Sequence, residues 1–271
     1  MDFPFEIRVD GGMKTGVVYV ATGGDYLALA QASARSLRAF EPEIAIDVFT
    51  DDVNAPEPGL FDQIHLIENP HRRSKVECYG KTRFERTLYL DCDTLVLGPL
   101  GDLFDILERF DMAFTHDMRR NTKLVQTGYK HQTPYAFPQL NGGVILYRGT
   151  PPVRSFMEDW ARRFAASGLD RDQPTLRDLL WETDLRYYVL PPEFNLRRVT
   201  MLDAWEPGDV RPTILHSHRL MDHMQGRGAA IETVPELVEA ERAALRAEWE
   251  ALGGRDVDPV KRFSQKRLDE D

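Results

Sequence analysis

Two aspartates separated by one residue, Asp91 and Asp93, follow the apolar run Leu88–Leu90. Side chains two apart on an extended strand point to the same face, so this spacing presents two carboxylates to one point while Cys92 faces the other way. Such a pair suits Mg²⁺ or Mn²⁺, which complete their coordination with water and substrate phosphates. An ion of this type neutralises the charge that develops on a departing diphosphate. The acidic pair is therefore the first candidate for a chemical site.

The same spacing also occurs where two aspartates cap a helix or lie in solvent, and this is the purely structural interpretation. Here a second apolar run, Leu95–Leu97, follows Asp93, so we expect the carboxylates to lie inside the fold. Buried charges without a partner are costly. The context therefore favours a bound cation over a solvated pair.

Three histidines, His216, His218 and His223, lie at and just after the late apolar strand 213–216. Imidazole binds Mn²⁺ and softer metals. Because His216 and His218 share one face of an extended chain, we expect one of them, His216, to be a metal ligand and His218 to contact phosphate. A zinc site of all three histidines is the alternative, and His223 is otherwise expected at the surface.

Lys81 and Arg86 precede the acidic pair in the sequence. Taken singly, each is best interpreted as an ordinary solvated cation. Their position just upstream of the expected metal strand also makes them candidates for stabilising a diphosphate or a donor sugar.

The surrounding elements predict an α/β fold. Strand 16–22 leads through paired glycines into an amphipathic helix, 26–40, and strand 44–50 follows at once. This order implies a parallel sheet with its working loops at the carboxyl ends of the strands. The polar stretch 69–75 is interpreted as a surface connection. Further strands are expected at 63–67, 87–90, 112–115, 140–147, 187–190 and 213–216, and helices at 101–109, 152–167, 172–181 and 235–252.

Composition limits the possible partners. The 271 residues, 42% of them apolar, are enough for one large core. A formal net charge of −10 argues against a nucleic-acid partner, because nucleic-acid binders display a basic surface. No stretch approaches the roughly 18 apolar residues of a membrane helix. We therefore expect no integral membrane segment. The two cysteines, Cys78 and Cys92, are too few for a disulfide framework, so we expect a cytoplasmic location.

The passage from Lys81 to Leu100 resembles the DxD region of GT-A-fold glycosyltransferases, in particular glycosyltransferase family 8 and related nucleotide-diphospho-sugar transferases. Four further segments occur in that family's order: Val18–Tyr26, Leu140–Leu146, Asp172–Pro174 and Ile214–His216. The resemblance implies a GT-A, Rossmann-like α/β fold with a mainly parallel mixed sheet flanked by helices.

The resemblance also implies a role for each segment. The first strand and loop would hold the nucleotide base and ribose, and the glycine-containing strand would line the sugar site. The implied metal ligands are Asp91, Asp93 and His216, and the implied catalytic residues are Asp172, Gln173 and Asn141. The implied donor-binding residues are Ala21, Thr22, Gly23, Asp25, Tyr26, Lys81, Arg86, Asp91, Cys92, Gly142 and His218. Asp25 and Asp172 are also interpreted as helix caps.

One departure from the family pattern concerns the diphosphate. The family follows its metal histidine with glycine and then Lys-Pro-Trp, whose lysine meets the diphosphate. This chain has Ser217, His218 and Arg219 after His216. We expect Arg219 or Arg227 to replace that lysine.

We expect an N-terminal extension over residues 1–15, a catalytic domain over 16–230, and a C-terminal helix and polar tail over 231–271. The C-terminal helix is interpreted as an amphipathic cover or as the contact of a homodimer. The segment 118–138 is polar, aromatic and without a period. A loop this long in a compact domain is usually functional, and we expect acceptor contacts there.

These patterns predict a metal-dependent glycosyltransferase, using Mn²⁺ or Mg²⁺, that moves a hexose from a nucleotide sugar, expected to be a UDP-sugar. The acceptor is a hydroxyl of a glycan, a lipid-linked or a small molecule. The resemblance favours retention of configuration, whereas Asp117 or Asp172 would be the base of an inverting enzyme. The alternatives are a haloacid-dehalogenase-like phosphatase, which also has DxD after an apolar strand, and a non-catalytic sugar- or nucleotide-binding protein of the same fold.

Overall fold

The computed structural model describes residues 14–117, 129–134 and 136–251. Most of the expected N-terminal extension, most of the loop 118–138 and the tail after residue 251 lie outside the described residues. The domain boundaries therefore stay predictions. Within the described ranges, no helix has the length and apolar character needed to cross a membrane.

Seven of the nine described strands form one sheet, in the order β3-β2-β1-β4-β7-β6-β8 once the strands are numbered along the chain. Strands β1 to β4 pair in parallel, and so do β6 and β8, whereas β7 runs antiparallel to both β4 and β6. The expected mixed, mainly parallel sheet is confirmed. The strands are β1 (Thr15–Ala21), β2 (Ala45–Thr50), β3 (Gln63–Leu66), β4 (Arg86–Leu90), β5 (Thr94–Val96), β6 (Met112–His116), β7 (Leu140–Arg148), β8 (Tyr187–Val189) and β9 (Ile214–His216).

The reversed strand β7 lies inside the sheet, between β4 and β6. Because it runs against its neighbours, β7 begins at the edge where β1, β4 and β6 end. A separate two-stranded sheet pairs β5 with β9 antiparallel, with Thr94 opposite His216. The start of β7 and the end of β9 therefore both reach the turn that carries Asp91 and Asp93.

Five α-helices are described, together with several short turns of 3-10 helix. The segment expected as a helix over 101–109 is a 3-10 turn, Leu103–Glu108, because so short a stretch favours the tighter i to i+3 bonds. The helices are α1 (Gly24–Arg38), α2 (Lys75–Cys78), α3 (Pro151–Ser167), α4 (Gln173–Glu182) and α5 (Val234–Ala251). The other 3-10 turns are Tyr79–Lys81, Pro192–Phe194, Val199–Ala204, His218–Met221 and His223–Gln225.

Both faces of the sheet are buried, because alternate residues of each central strand point to opposite sides. In β1, Val17 and Tyr19 pack in the cluster that contains α1 residues such as Leu27. Val18 and Val20 pack in the other cluster, which contains residues of α3 and α4. This burial explains why the strands are apolar almost throughout rather than alternating. Each fully buried Val or Leu contributes about 1.5–3 kcal/mol relative to an exposed one.

Helix α3 fixes the start of α4, where part of the expected site lies. Pro151 begins α3, where no backbone N–H is needed, and Gly168 ends it with φ of 68°, a left-handed conformation that favours glycine. Trp160, buried in the middle of α3, donates its indole Nε1–H to the backbone oxygen of Asp172 at 3.1 Å. Trp160 therefore holds Asp172, the residue just before α4, in place.

Candidate active site

Asp91, Asp93 and His216 lie together just beyond the carboxyl end of β4. One carboxylate oxygen of each aspartate and an imidazole nitrogen of His216 all lie within 4.8 Å of one another. His216 Nε2 is 3.3 Å from Asp93 Oδ1 and 3.8 Å from Asp91 Oδ2. His218 and His223 do not belong to this group, so the arrangement does not correspond to a three-histidine zinc site.

The backbone of neighbouring strands places these three side chains. The Asp91 N–H donates to the carbonyl oxygen of Gly143 on β7 at 2.8 Å. The Ser217 N–H, directly after β9, donates to the carbonyl oxygen of Asp93 at 3.0 Å. The turn after β4 is therefore tied to β7 on one side and to the end of β9 on the other.

Gly143 is the point where β7 passes closest to the group. A Cβ atom at this position would lie 2.2 Å from His216 Cε1 and 2.8 Å from Asp91 Oδ2, so a side chain here would force His216 or Asp91 to shift. At Gly142, a Cβ atom would make ordinary contacts, 3.5 Å from Trp160 and 3.8 Å from Asp172 Oδ2. A side chain would therefore fit at Gly142, whereas glycine at position 143 leaves the room in which the three side chains converge.

The charges of this group fit a bound divalent cation. Burial by itself raises the pKa of the Asp93 carboxyl, but His216, Arg197 and Lys75 together outweigh burial, so this pKa lies well below its usual range. Asp93 is therefore ionised and buried. Two hard carboxylate oxygens with an imidazole nitrogen form a donor set that suits Mn²⁺ and accommodates Mg²⁺.

Lys75, at the start of α2, is the direct counter-ion of Asp91. Its Nζ donates to both Asp91 carboxylate oxygens, at 2.7 and 2.9 Å. Burial lowers the pKa of the Lys75 ammonium, but Asp91 and Asp172 raise it more, and the net shift is upward. Tyr89 donates its hydroxyl to Asp91 Oδ1 at 2.6 Å. Asp91 is thus held by a charged and a neutral donor.

A cavity of about 590 Å³ opens beside Asp91, Asp93 and His216. Strand ends supply one side of it, and residues 71–75 and 171–173 supply the other. The protein has a formal net charge of −10, yet arginines and a lysine from several segments face this cavity. These cations are Arg72, Arg73, Lys75, Arg171 and Arg197. The cavity has the size and the polar lining of a small-molecule site.

Asp172 and Gln173 lie at the start of α4 and face the cavity. The Asp172 side chain makes no capping hydrogen bond, contrary to the expected cap; its Oδ1 is 3.5 Å from Arg73. Its buried Oδ2 has no hydrogen-bond donor among the described residues. Gln173 Nε2 donates to Asp117 Oδ2 at 3.0 Å and to the Leu140 carbonyl oxygen at 3.3 Å, and its Oε1 accepts from no donor in the part of the chain that the structure describes. Both residues therefore offer oxygen atoms to a polar ligand.

A protein-family comparison matches residues 86–225, just over half of the chain, to the model of the nucleotide-diphospho-sugar transferases. The matched segment contains the acidic pair, the start of β7, the start of α4 and His216. The chain belongs to the nucleotide-diphospho-sugar transferase family. This assigns the acidic pair to a transferase of nucleotide sugars rather than to a phosphatase. No curated protein sequence matches the transferase.

Solved glycosyltransferase structures share the fold of this transferase. The galactosyltransferase LgtC, solved with donor and acceptor sugar analogues, superposes with a TM-score of 0.54 at 19% identity, over 75% of this chain and 87% of LgtC. GlyE of Streptococcus pneumoniae TIGR4 gives 0.52 at 17% identity, over 89% of this chain and 65% of GlyE. Mouse xyloside xylosyltransferase 1 gives a TM-score of 0.50 at 13% identity, over 75% of this chain and 97% of the xylosyltransferase. The expected GT-A fold is confirmed.

The structure brings most of the predicted site residues of the transferase to this cavity. Cys92 also lines it, although its thiol donates to the Val20 carbonyl oxygen in the core at 3.2 Å. His218 lines it from a 3-10 turn, with its pKa lowered by partial burial and by Arg219. The predicted residues that line the cavity are Thr22, Tyr26, Asp91, Cys92, Asp93, Asn141, Gly142, Asp172, Gln173, His216 and His218.

Other predicted donor-binding residues of the transferase do not line the cavity. Ala21 is buried at the end of β1, and Asp25 lies exposed in the first turn of α1, whose cap is Gly23 rather than Asp25. Lys81 is exposed outside the cavity. Arg86 begins β4, at the opposite end of the strand from Asp91, and lies 3.6 Å from Asp105.

The two arginines that were expected to meet the diphosphate also lie outside the cavity lining. Arg219 lies 3.4 Å from Asp222, Arg227 lies 2.6 Å from the same side chain, and neither lines the cavity. The stretch 69–75, interpreted as a surface connection, instead contributes Lys75 to the lining of the cavity, with only 14% of its side chain exposed. A signal was available: four of the residues from His71 to Lys75 are basic, and they follow the carboxyl end of β3.

Proposed function

We propose that this transferase moves a hexose from a UDP-sugar to an acceptor hydroxyl, with Mn²⁺ or Mg²⁺ bound by Asp91, Asp93 and His216. The observation that carries the proposal is the convergence of these three ligand groups within 4.8 Å beside a cavity. A bound divalent ion would act there as a Lewis acid that stabilises the charge on the leaving diphosphate. The preference for UDP and for a hexose rests on the sequence resemblance and on the name of LgtC, which is a galactosyltransferase.

Lys75 and Arg197 are the cations that we assign to the diphosphate. Lys75 already bonds Asp91, and Arg197 lies 3.6 Å from Asp117 and lowers the pKa of Asp93. Both therefore lie beside the metal-ligand group, where the family's lysine would otherwise act. Fixed positive charges next to a developing negative charge stabilise the transition state without further reorganisation.

Asp172, Gln173 and the backbone at Gly142 form the proposed sugar site. Asp172 Oδ2 and Gln173 Oε1 are acceptors without donors among the described residues, and sugar hydroxyls are donors of the matching kind. A buried acceptor that lacks a donor costs about 1–3 kcal/mol, so a bound sugar hydroxyl recovers this energy. Asn141 anchors the start of β7 beneath this site, since its Oδ1 accepts the Gly143 N–H at 2.9 Å.

Retention of the anomeric configuration is the stereochemistry that we propose. Asp117 is engaged with Gln173 and Arg197, which leaves it poorly suited to take a proton from an acceptor. Asp172, with one unpartnered oxygen, is the base of the alternative inverting reaction. NMR of the product glycoside gives the anomer directly: the donor's own configuration supports retention, and the opposite configuration assigns the base role to Asp172.

Isothermal titration of UDP in the presence and absence of Mn²⁺ tests the metal site. We expect wild-type protein to bind UDP far more tightly with Mn²⁺, and Asp91→Ala to lose this dependence. Asp105→Ala, which changes an exposed aspartate outside the cavity, is the matched control and should behave like wild type. Equal UDP affinities with and without Mn²⁺, together with equal affinities of Asp91→Ala and wild type, would overturn the proposal.

A thermal-shift screen of nucleotide sugars then identifies the donor. A ligand that binds only the folded state raises the melting temperature by mass action. At a free ligand concentration of 100 times Kd, the free energy of unfolding rises by about 2.7 kcal/mol. We expect the largest shift from one UDP-hexose with Mn²⁺ present. A larger shift from a non-uridine nucleotide sugar would reassign the base specificity while leaving the metal site intact.

A further inference from the structure

Asn195 is a buried amide that joins three parts of the active site. Its side chain is 2% exposed and follows the 3-10 turn Pro192–Phe194. Leu196, the next residue, forms an isolated parallel bridge with Leu215 of β9, and the His216 N–H donates to the Leu196 carbonyl oxygen at 3.0 Å. This backbone pairing holds Asn195 beside His216. The sequence offered no pattern that singled out Asn195.

The orientation of the Asn195 amide follows from a backbone donor. The Gly143 N–H, which can only donate, bonds one terminal atom of Asn141 at 2.9 Å, so that atom is the oxygen. The same oxygen lies 3.0 Å from a terminal atom of Asn195, which must therefore be the NH₂ group. That NH₂ group also donates to Thr115 Oγ1 at 2.7 Å. The remaining atom, Asn195 Oδ1, faces His216.

The orientation of the amide decides which imidazole nitrogen carries hydrogen. Asn195 Oδ1 lies 2.9 Å from His216 Nδ1 and can only accept, so Nδ1 carries the hydrogen. The other nitrogen, Nε2, faces Asp93 and Asp91, so it is the one that would present its lone pair to a metal ion in place of a hydrogen shared with Asp93. An imidazole binds a metal through such an unprotonated nitrogen.

We propose that Asn195 is a positioning residue that sets the tautomer and the ring orientation of His216 and so keeps Nε2 available as a metal ligand. The inference rests on the proposed role of His216 in the metal site. Partners of this kind, bonded to the second nitrogen of a metal-binding histidine, change metal affinity about 10- to 100-fold when they are removed. The Asn195 amide is itself held in its orientation by Thr115 and Asn141, and the Gly143 N–H fixes the orientation of Asn141.

Titration of Mn²⁺ alone into the full chain tests the inference without relying on activity. We expect Asn195→Leu, which has a similar volume but no acceptor, to weaken Mn²⁺ binding about 10- to 100-fold. His216→Ala should weaken it at least as much. The double variant should bind no more weakly than His216→Ala, because residues that act through one contact are not additive.

Two further variants separate positioning from fold stability. Asn195→Asp keeps an oxygen that accepts from Nδ1–H but places a carboxylate against Asn141 Oδ1, so we expect a lower melting temperature with Mn²⁺ affinity within a few-fold of wild type. Thr115→Val removes one bond of the amide while Asn141 still fixes its orientation, and should change Mn²⁺ affinity little. If Asn195→Leu does not fold, Asn195→Ser takes its place in the titration.

The outcomes distinguish this inference from the metal proposal beneath it. Mn²⁺ binding to Asn195→Leu at wild-type affinity, or an equal further loss in the His216→Ala background, would overturn the positioning role alone. Equal Mn²⁺ binding by wild type and His216→Ala would overturn the metal role of His216 and this inference with it. Nitrogen NMR of the imidazole provides a check without variants: hydrogen on His216 Nδ1 supports the assignment, and an unprotonated Nδ1 refutes it.

Discussion

The two sides of the cavity are built in different ways. The ligand side consists of Asp91, Asp93 and His216, which strand ends and backbone hydrogen bonds hold in place. The cation side consists of Arg72, Arg73, Lys75 and Arg171, which come from the segment that leads into α2, from the first residue of α2 and from the segment before α4. Ligands that share one ion must converge within a few tenths of an ångström, whereas long cationic side chains reach a phosphate from many starting points. Rigid elements therefore supply the first side, and loops suffice for the second.

The sharpest test of the ligand side is Asp93→Asn, for which we expect the largest effect. Asp93 is buried and ionised, and the amide removes its charge while keeping its shape. We expect the Mn²⁺-dependent release of UDP from the preferred UDP-sugar to fall about 100-fold or more. Initial rates at saturating donor give the comparison, with Asp105→Asn as a control that keeps the wild-type rate. A wild-type rate for Asp93→Asn would mean that the ligand side does not hold the catalytic ion.

The paired glycines test how strictly the ligand side is packed. Gly143→Ala should displace His216 or Asp91, because the new Cβ atom would lie 2.2 Å from His216 Cε1. We expect Mn²⁺ affinity about 10- to 100-fold below wild type, measured by titration calorimetry. Gly142→Ala meets only ordinary contacts and is the matched control, for which we expect a much smaller change. Equal effects of the two changes would show that general backbone strain, not contact with the ligands, limits this position.

Substitutions of two lysines six positions apart compare Lys75, which belongs to the cation side, with Lys81, which the sequence offered as a candidate. Lys75→Ala should weaken UDP binding in the presence of Mn²⁺ about tenfold, close to the lower end of the about 1.5–3 kcal/mol that a charge-assisted hydrogen bond contributes, because Arg197 remains. The same variant should bind Mn²⁺ alone at least as tightly as wild type, since Lys75 no longer holds both oxygens of Asp91. Lys81→Ala is the control and should change neither affinity. A loss for Lys81→Ala comparable to that for Lys75→Ala would support Lys81, one of the candidates from the sequence, as a cation that contacts the diphosphate.

The smallest expected effect belongs to the neutral donor on the ligand side. Tyr89→Phe removes the hydroxyl that donates to Asp91 Oδ1 at 2.6 Å. One neutral hydrogen bond contributes about 0.5–1.5 kcal/mol, so we expect Mn²⁺ affinity about two- to tenfold lower. Tyr147→Phe also loses a buried hydroxyl bond, to the Tyr79 carbonyl oxygen at 2.8 Å, and should reduce the melting temperature without changing Mn²⁺ affinity. Equal Mn²⁺ affinities for Tyr89→Phe and wild type would show that the Tyr89 hydroxyl does not help Asp91 to bind the ion.

Much of the fold was predictable because its signals are local. The strand expected over 16–22 and the helix expected over 152–167 occur as Thr15–Ala21 and Pro151–Ser167, since apolar runs, proline and glycine mark their ends. The convergence of Asp91, Asp93 and His216 is long-range, but it followed from family order and from the rule that strand ends meet at one edge.

The cation side was not predictable in the same way. Arg86 precedes Asp91 by five positions, and on a strand these positions span roughly 16 Å at about 3.3 Å each. Closeness in sequence therefore placed Arg86 at the wrong end of β4, whereas Lys75 reaches Asp91 from an element distant in sequence. Asn195 was missed for a related reason, because its role depends on an isolated bridge between Leu196 and Leu215 that leaves no periodic signal.

The hydrogen bond between the Asp117 N–H and the Gln139 carbonyl oxygen, 3.2 Å long, closes the base of the connection from β6 to β7. The chain therefore departs from the sheet and rejoins it at almost the same point, next to the cavity. The entropic cost of closing such a segment grows only with the logarithm of its length. By the same logarithm, a change in the length of the connection between Asp117 and Gln139 would cost the fold little free energy, provided that this closing hydrogen bond is kept.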